Sequence, residues 1–349
     1  MKELKYKKFS WDTHEKNWKL KKPNVCQFEL TFKCALRCRH CYTDCYNKRQ
    51  FYKNELTTGQ AKDILDKAYD AGVIWLCFTG GDPLMRKDFL EIYDYAKKKG
   101  FIVTVFTSGF SMNKKIAQHL KKSPPFVVEM TLNGATMETF EAVTQVKGSF
   151  EKVLIGIHLM LKNKIPLKIK TQLTSVNFHE ADKIKKLVRS FGLKFSPSSD
   201  IFARLNGDCA PCDLRVPIKE LLRLDDKKEL LNSDCKPSQD SKQVPKNGYL
   251  FNCAAGGGDG LNIDPYGNTF ICNLIRTPSI NLFKKSIFEA RKELIPKIRE
   301  MRFTKHSICN GCKIRSICHS CPGRAYVETK DMQAPIDYYC RLAHALSKG

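Results

Sequence analysis

The chain of 349 residues is long enough for one large domain or two moderate ones, and no apolar stretch approaches the length of a membrane span. Its start, Met1 to Lys22, is charged and lacks an apolar core, which excludes a signal peptide and points to the cytoplasm, where sixteen cysteines indicate metal rather than disulfides. Lys and Arg outnumber Asp and Glu 60 to 36, a formal charge of +24. The lysines fall on solvated helix faces such as Lys97-Lys98-Lys99, and no basic stretch interleaves with aromatics as a nucleic-acid stacking platform would.

In chain order, residues 1–24 read as an irregular basic lead and Val25–Phe32 as a first strand. Leu56–Gly72 carries a helix. Thr57 and Gln60 form a capping box, Ala61, Ile64, Leu65 and Ala68 make one apolar face, and Gly72 is the stop. The alternation then repeats. Strands are predicted at Val73–Phe78, Phe101–Phe106, Phe126–Leu132, Pro166–Leu173 and Leu193–Ser196, and helices at Asp88–Lys99, Asn113–Lys122, Met137–Thr144, Ser149–Asn163 and His179–Phe191. Apolar strands alternating with amphipathic helices predict a parallel α/β architecture. Ile201–Arg215 is loop-like and Ser233–Gly248 is polar, which divides the chain into a lead (1–24), an α/β core (25–225), a linker (226–249) and a cysteine-rich part (250–349).

Chemistry concentrates after the first strand, in Cys34-Ala-Leu-Arg-Cys38-Arg-His-Cys41. Three thiolates on one short loop can hold three irons of a 4Fe–4S cube, leaving the fourth iron to a non-protein ligand. Cys45 is close, but it is the weaker fourth ligand if the loop has already turned into a helix. A structural zinc site wants four ligands, usually in close pairs. The second signal, Thr79-Gly80-Gly81-Asp82-Pro83, ends the second strand.

This pairing of motifs resembles the radical SAM superfamily. The resemblance implies a partial (β/α)6 barrel of TIM type with one open side, and a fourth iron chelated by S-adenosylmethionine. It implies reductive cleavage to a 5′-deoxyadenosyl radical that takes hydrogen from a substrate. The polar and glycine signals fall at the carboxyl ends of the predicted strands, where α/β barrels carry their active residues. By position, the cofactor-binding residues implied are His40, Tyr42, Gly80, Gly81, Asp82, Pro83, Ser108, Thr131, Asn133 and Asn177. Two departures stand out: Asp82 replaces the usual Glu, and Thr131-Leu-Asn133-Gly134 replaces the commoner Ser-Leu-Asp-Gly.

The last hundred residues carry Cys253, Cys272, Cys309-x2-Cys312-x5-Cys318-x2-Cys321 and Cys340, with Ile263–Asn268 reading as a hairpin turn. Seven thiolates are too many for one zinc, and two zinc ribbons would want wider gaps. The array resembles the SPASM extension, which carries two auxiliary 4Fe–4S clusters. The resemblance assigns Cys253, Cys272 and Cys321 to the nearer cluster and Cys309, Cys312, Cys318 and Cys340 to the outer one. Cys318 and Cys321 are two residues apart where three is commoner. Seven ligands leave one iron for another group, with Asp259, Cys235, Cys209, Cys212 or a substrate group as candidates. Cys209-Ala-Pro-Cys212 by itself suggests a thioredoxin-like pair but lacks the strand-to-helix setting.

SPASM proteins most often modify peptides or protein side chains. The resemblance therefore implies an oxidoreductase that matures a ribosomally made peptide, with the leader bound by a separate recognition protein or another surface and an electron donor such as flavodoxin or ferredoxin, and neither a membrane nor a specific nucleic acid as partner. The alternatives are a small-molecule enzyme, such as a tetrapyrrole side-chain decarboxylase or an alcohol dehydrogenase, and a non-enzymatic iron–sulfur or zinc-stabilised binding protein.

Overall fold

Strand pairing follows chain order. In a computed structural model, which describes residues 5–20, 22–223, 248–251 and 260–347, the elements run α1 (Tyr6–Leu20), β1 (Val25–Thr31), α2 (Thr58–Asp70), β2 (Trp75–Gly80), α3 (Phe89–Lys99), β3 (Ile102–Thr107), α4 (Lys114–Lys122), β4 (Val127–Thr131), α5 (Met137–Thr144), α6 (Ser149–Lys162), β5 (Leu167–Gln172), α7 (Ala181–Ser190) and β6 (Phe195–Ser198). Neighbouring strands from β1 to β6 are all parallel. The expected elements are present to within a few residues, and the Thr57–Gln60 capping box forms.

Side chains alternate between the two faces of a strand. On the helix-facing side Phe28, Leu30, Leu76, Phe78, Val103, Val105, Val128, Met130 and Ile169 are buried and merge into one core with Ile64, Leu65, Ile92 and Val153. The alternate residues Glu29, Thr31, Thr104, Glu129, Thr131 and Lys170 line the other, polar face. There Glu129 pairs with Lys170 and stands 3.6 Å from Lys168.

The cysteine-rich part does not hang apart from this sheet. β7 (Gly260–Ile263) pairs parallel with β1, Val25 opposite Gly260, and β8 (Asn268–Phe270) and β9 (Ile280–Asn281) follow antiparallel. One nine-stranded sheet results, open between β6 and β9. The predicted hairpin turn joins β7 to β8. Helix α8 (Ile287–Arg299) starts from a Ser286–Glu289 capping box and packs Ile287 and Ala290 into the main core. Helices α9 (Pro322–Thr329) and α10 (Asp337–Ser347) form a second core with Leu173, Val216, Ala325 and Tyr339. Most of the expected linker, together with Cys235, Cys253 and Asp259, lies outside the described residues. Among the described residues no helix is long and apolar enough to cross a membrane.

The lead expected to be irregular is instead a 15-residue helix. Tyr6 packs on Phe126 (ring centroids 5.0 Å apart), and Phe9 and His14 pack on Trp75 (5.8 and 4.6 Å). Trp75 Nε1 donates to the Tyr6 hydroxyl at 3.0 Å. Trp75 opens β2 and Phe126 precedes β4, so α1 covers the amino ends of the strands. The basic residues disguise the helix because tertiary contacts, rather than a clean apolar period, hold it. Trp75→Ala removes the platform under α1. We expect a loss of about 2 kcal/mol in urea unfolding and faster proteolytic clipping around residue 22, with near-UV circular dichroism of the remaining core preserved.

Candidate functional site

The cysteine loop leaves β1 through a set of hydrogen bonds that fix its entrance. Glu55 accepts from Thr31 Oγ1 and Phe32 N, both at 2.7 Å. Buried Asn47 accepts from Cys34 N (3.1 Å) and donates to Cys34 O (3.1 Å) and Leu36 O (3.2 Å), closing the loop. On the far side, Arg37 N and Arg39 N donate to Thr144 O and Val143 O at the end of α5, at 2.9 and 3.0 Å. Leu36 N donates to Cys34 Sγ at 3.5 Å, and Thr43 Oγ1 lies 3.4 Å from Cys41 Sγ.

The donor set suits an iron–sulfur cube. Burial pushes the Cys34 thiol up to about 12, with Asp82 and Cys41 adding to the shift. Cys38 is raised by burial and then by Cys41 and Cys34. Three neighbouring thiols of this kind ionise only against strong positive charge, which bound irons supply. Among the described residues no three His, Cys, Asp or Glu side chains converge on one metal ion. A cube places each thiolate on a different iron and does not require such convergence. His40 is held neutral, its pKa driven down to about 4 by burial, and its Nδ1 is buried without a partner beside Cys41.

The Gly-Gly step meets this loop backbone to backbone. Gly81 N donates to Thr31 O at 2.7 Å and Asp82 N to Lys33 O at 2.9 Å. A Cβ on Gly80 would stand 2.2 Å from Thr31 O, and one on Gly81 would stand 2.5 Å from Phe32 O and Lys33 O. Gly80 also holds φ at +127°, a conformation other residues rarely adopt. The glycines are therefore required by the chain's own close approach, whatever ligand also passes there.

Asp82 turns inward. Its carboxylate accepts from Thr107 Oγ1 (2.7 Å), Leu84 N (3.1 Å), Ser108 N (3.1 Å) and Ser108 Oγ. It thus ties the carboxyl end of β2 to that of β3, and Pro83 starts a buried turn behind it. Asn133 accepts from Gln172 N at 2.8 Å, and Asn177 donates to Asn133 O and Gln172 O at 2.9 Å each. Asn177 Oδ1 is itself taken by Thr174. Glu180 accepts from Ala135 N and Thr136 Oγ1 at 2.8 Å each. These residues brace β4 to β5, while Thr131 ends β4 on the interior face. Asn177 and Asp82, expected as cofactor contacts, spend their side-chain acceptors inside the rim.

The C-terminal part meets the same rim. Glu29, on the interior face of β1, is buried against Arg276 in a two-pronged ion pair at 2.7 Å for each prong. The guanidinium lies 4.9 Å over Phe270. Tyr42, just after the last loop cysteine, is half-buried near Glu29, Arg276, Cys41 and Cys272, with its phenol pushed far up mainly by desolvation. Its ring packs 5.2 Å from Phe202. Cys272 Sγ lies 3.4 Å from where a Gly323 Cβ would stand, next to Cys321, whose sulfur accepts from Arg324 N at 3.5 Å. The other four are grouped: burial raises Cys318, and Cys309, Cys340 and Cys312 raise it further. Arg315 is half-buried near Cys309, Cys312 and Cys318. Cys209 and Cys212 lie elsewhere, 3.7 Å from Glu328 O and 3.6 Å from Glu328 Oε2 respectively. Asn47, Glu55, the Glu29–Arg276 pair and an Asp200–His319–Arg324 group carried no sequence signal, since their partners come from distant segments or depend on loop geometry.

The parallel sheet is of radical SAM type. Residues 28–190 form a domain that matches the Radical SAM superfamily model, whose members bind S-adenosylmethionine and a 4Fe–4S cluster. The chain is 26% identical over 330 residues to an AdoMet-dependent heme synthase of Methanosarcina barkeri, covering 88% of this chain and 94% of that protein. It is 32% identical over 171 residues to the mycofactocin maturase MftC of Mycolicibacterium smegmatis, 49% of this chain but only 43% of the maturase. Its fold is that of Streptococcus suis SuiB, solved with the precursor peptide SuiA, with TM-score 0.72 and 17% identity over 95% of this chain and 79% of SuiB. The cysteine-rich C-terminal part is consistent with a SPASM extension.

Two measurements check this geometry. Gly81→Ala forces apart the β1 exit and the β2 rim, so anaerobically prepared protein should lose about four irons per chain, whereas Gly59→Ala, with open space around its Cβ, should keep them. Glu29→Gln leaves Arg276 buried without its counter-charge and should cost about 3 kcal/mol or more in urea unfolding, with Glu29→Gln/Arg276→Met recovering much of the loss.

Proposed function

We propose that this chain is a radical SAM enzyme that removes a hydrogen atom from an unactivated carbon of a peptide or protein side chain, forming a crosslink or an oxidised residue. The observation that carries the chemistry is the reciprocal backbone contact of Thr31–Lys33 with Gly81-Asp82, which sets the half-buried Cys34, Cys38 and Cys41 and the Gly-Gly step on one rim. When bound there, the cluster and S-adenosylmethionine supply the abstracting radical. Cys34, Cys38 and Cys41 would hold three of its irons. Backbone at Gly80-Gly81 would lie along the methionyl part, and His40, Tyr42, Ser108, Thr131 and Asn133 would border the nucleoside. Asp82 and Asn177 keep the rim rigid rather than contacting the ligand through free acceptors.

The polar interior would receive the substrate group, with Lys170 and Glu129 below Thr131 offering charge of both signs. The open gap between β6 and β9 suits an extended chain. Seven thiolates from Cys253, Cys272, Cys309, Cys312, Cys318, Cys321 and Cys340 would hold two auxiliary 4Fe–4S clusters. Such clusters fit a reducing cytoplasm, with a flavodoxin or ferredoxin as donor and a separate protein to recognise the leader. Similarity to the mycofactocin maturase over the core supports the peptide reading.

A second reading has its own support. The heme synthase aligns with nearly the whole chain, cysteine-rich part included, and Lys168 and Lys170 would suit the carboxylates of a tetrapyrrole. The reconstituted, reduced protein with S-adenosylmethionine should release 5′-deoxyadenosine, and Cys34→Ala/Cys38→Ala/Cys41→Ala should release none. Offered short peptides encoded beside the gene and an iron-coproporphyrin in parallel, it should alter the mass of a peptide. Carbon dioxide release from the porphyrin with every peptide untouched favours the second reading, and no deoxyadenosine from any mixture rejects both.

A further inference from the structure

Seven cysteines for two auxiliary cubes leave one iron without a thiolate, and a histidine lies in sequence between two of them with a buried, unpartnered ring nitrogen. His319 sits between Cys318 of one group and Cys321 of the other. Its side chain is 4% exposed, and Nε2 is buried without a hydrogen-bond partner. Nδ1 is 2.8 Å from Asp200 Oδ1, just beyond β6. Asp200 Oδ2 accepts from Arg324 at 2.7 Å, and the same guanidinium donates to His319 O at 2.7 Å. Arg324 N in turn donates to Cys321 Sγ. One residue thus binds the carboxylate, the imidazole's backbone and the cysteine sulfur into a single unit.

This is how metal-binding imidazoles are held. A carboxylate on one ring nitrogen keeps the proton there, fixes the ring plane and leaves the lone pair of the other nitrogen for the metal. A buried polar atom without a partner is costly, and a metal bond removes the cost. Among the described candidates, the two cysteines of the Cys209–Cys212 pair fit less well. Cys209 and Cys212 lie beside Glu328, about two turns from Cys321 and so roughly 10 Å along α9.

We propose that His319 Nε2 is the protein ligand that completes the auxiliary cluster seated on Cys272 and Cys321, with Asp200 as its orienting partner; the inference rests on the auxiliary-cluster reading above. Imidazole in place of thiolate raises a cluster's reduction potential, so this cluster would be the more easily reduced of the two.

The test uses the full chain, prepared anaerobically with its iron and labelled with 15N-histidine. Pulsed EPR of the reduced protein should show strong 15N coupling on one cluster. His319→Cys should abolish that coupling, keep the iron content and lower that cluster's potential, while His319→Ala should weaken retention of about four irons. Asp200→Asn should keep the coupling and change its magnitude. Full iron with no coupling, or only the weak coupling of an imidazole N–H resting on a cluster sulfur, overturns the assignment alone. Iron for one cluster only, with deoxyadenosine still formed, overturns it together with the auxiliary-cluster reading.

Discussion

The structure depends on one contact, the backbone of Thr31, Phe32 and Lys33 lying directly on Gly80 and Gly81. β1 and β2 pair in register up to Glu29 and Thr79, and the register then shifts so that Thr31 meets Gly80. That shift turns the β1 exit outward into the cysteine loop while its carbonyls still take hydrogen bonds from the amides of Gly81 and Asp82. Only residues without a Cβ tolerate the approach. A sequence feature usually read as making room for a ligand is here first a condition for the loop to exist.

From that contact the rim propagates strand by strand through buried acceptors. Asp82 joins β2 to β3, and Asn133, Asn177 and Glu180 join β4 to β5. Each uses its oxygens on backbone or hydroxyl donors, so the rim is stiff without help from a ligand, as a site that must position a reactive species requires. The shorter side chain at Asp82 suits this bracing, since it sits between Thr107, Ser108 and Leu84 with every oxygen occupied. On the other edge, β7 continues the sheet from β1, and Arg276 returns to neutralise Glu29. The cysteine-rich part is therefore built on the same strand that launches the cysteine loop, with Tyr42 near both Cys41 and Cys272. A buried ion pair of this kind stabilises little by itself, but it fixes which surfaces meet.

Much of this was legible beforehand because it is local. Periodicity, the Thr57 cap and the placement of Gly and Cys after strands gave six strand–helix units and the rim. Cys309, Cys312 and Cys340 lie near enough to Cys318 to raise its thiol. What could not be read is what joins distant segments. Asn47 closing on Cys34, Glu29 on Arg276, and Asp200 on His319 have no local pattern, and α1 has too many lysines to show a helical stripe although its aromatic residues find Trp75 and Phe126. Asp82 and Asn177 stand out by motif and position, but residue type does not tell which neighbouring groups their side-chain oxygens meet.

The central claim is that the cluster on Cys34, Cys38 and Cys41 keeps one iron open for S-adenosylmethionine. The most direct measurement is the EPR spectrum of the reduced protein as S-adenosylmethionine is added. One cluster's signal should change with a saturable dependence on the cofactor, and that component should be absent from Cys34→Ala/Cys38→Ala/Cys41→Ala while the other signals persist. Spectra that ignore the cofactor, or that respond to it equally when those three cysteines are gone, would contradict the account.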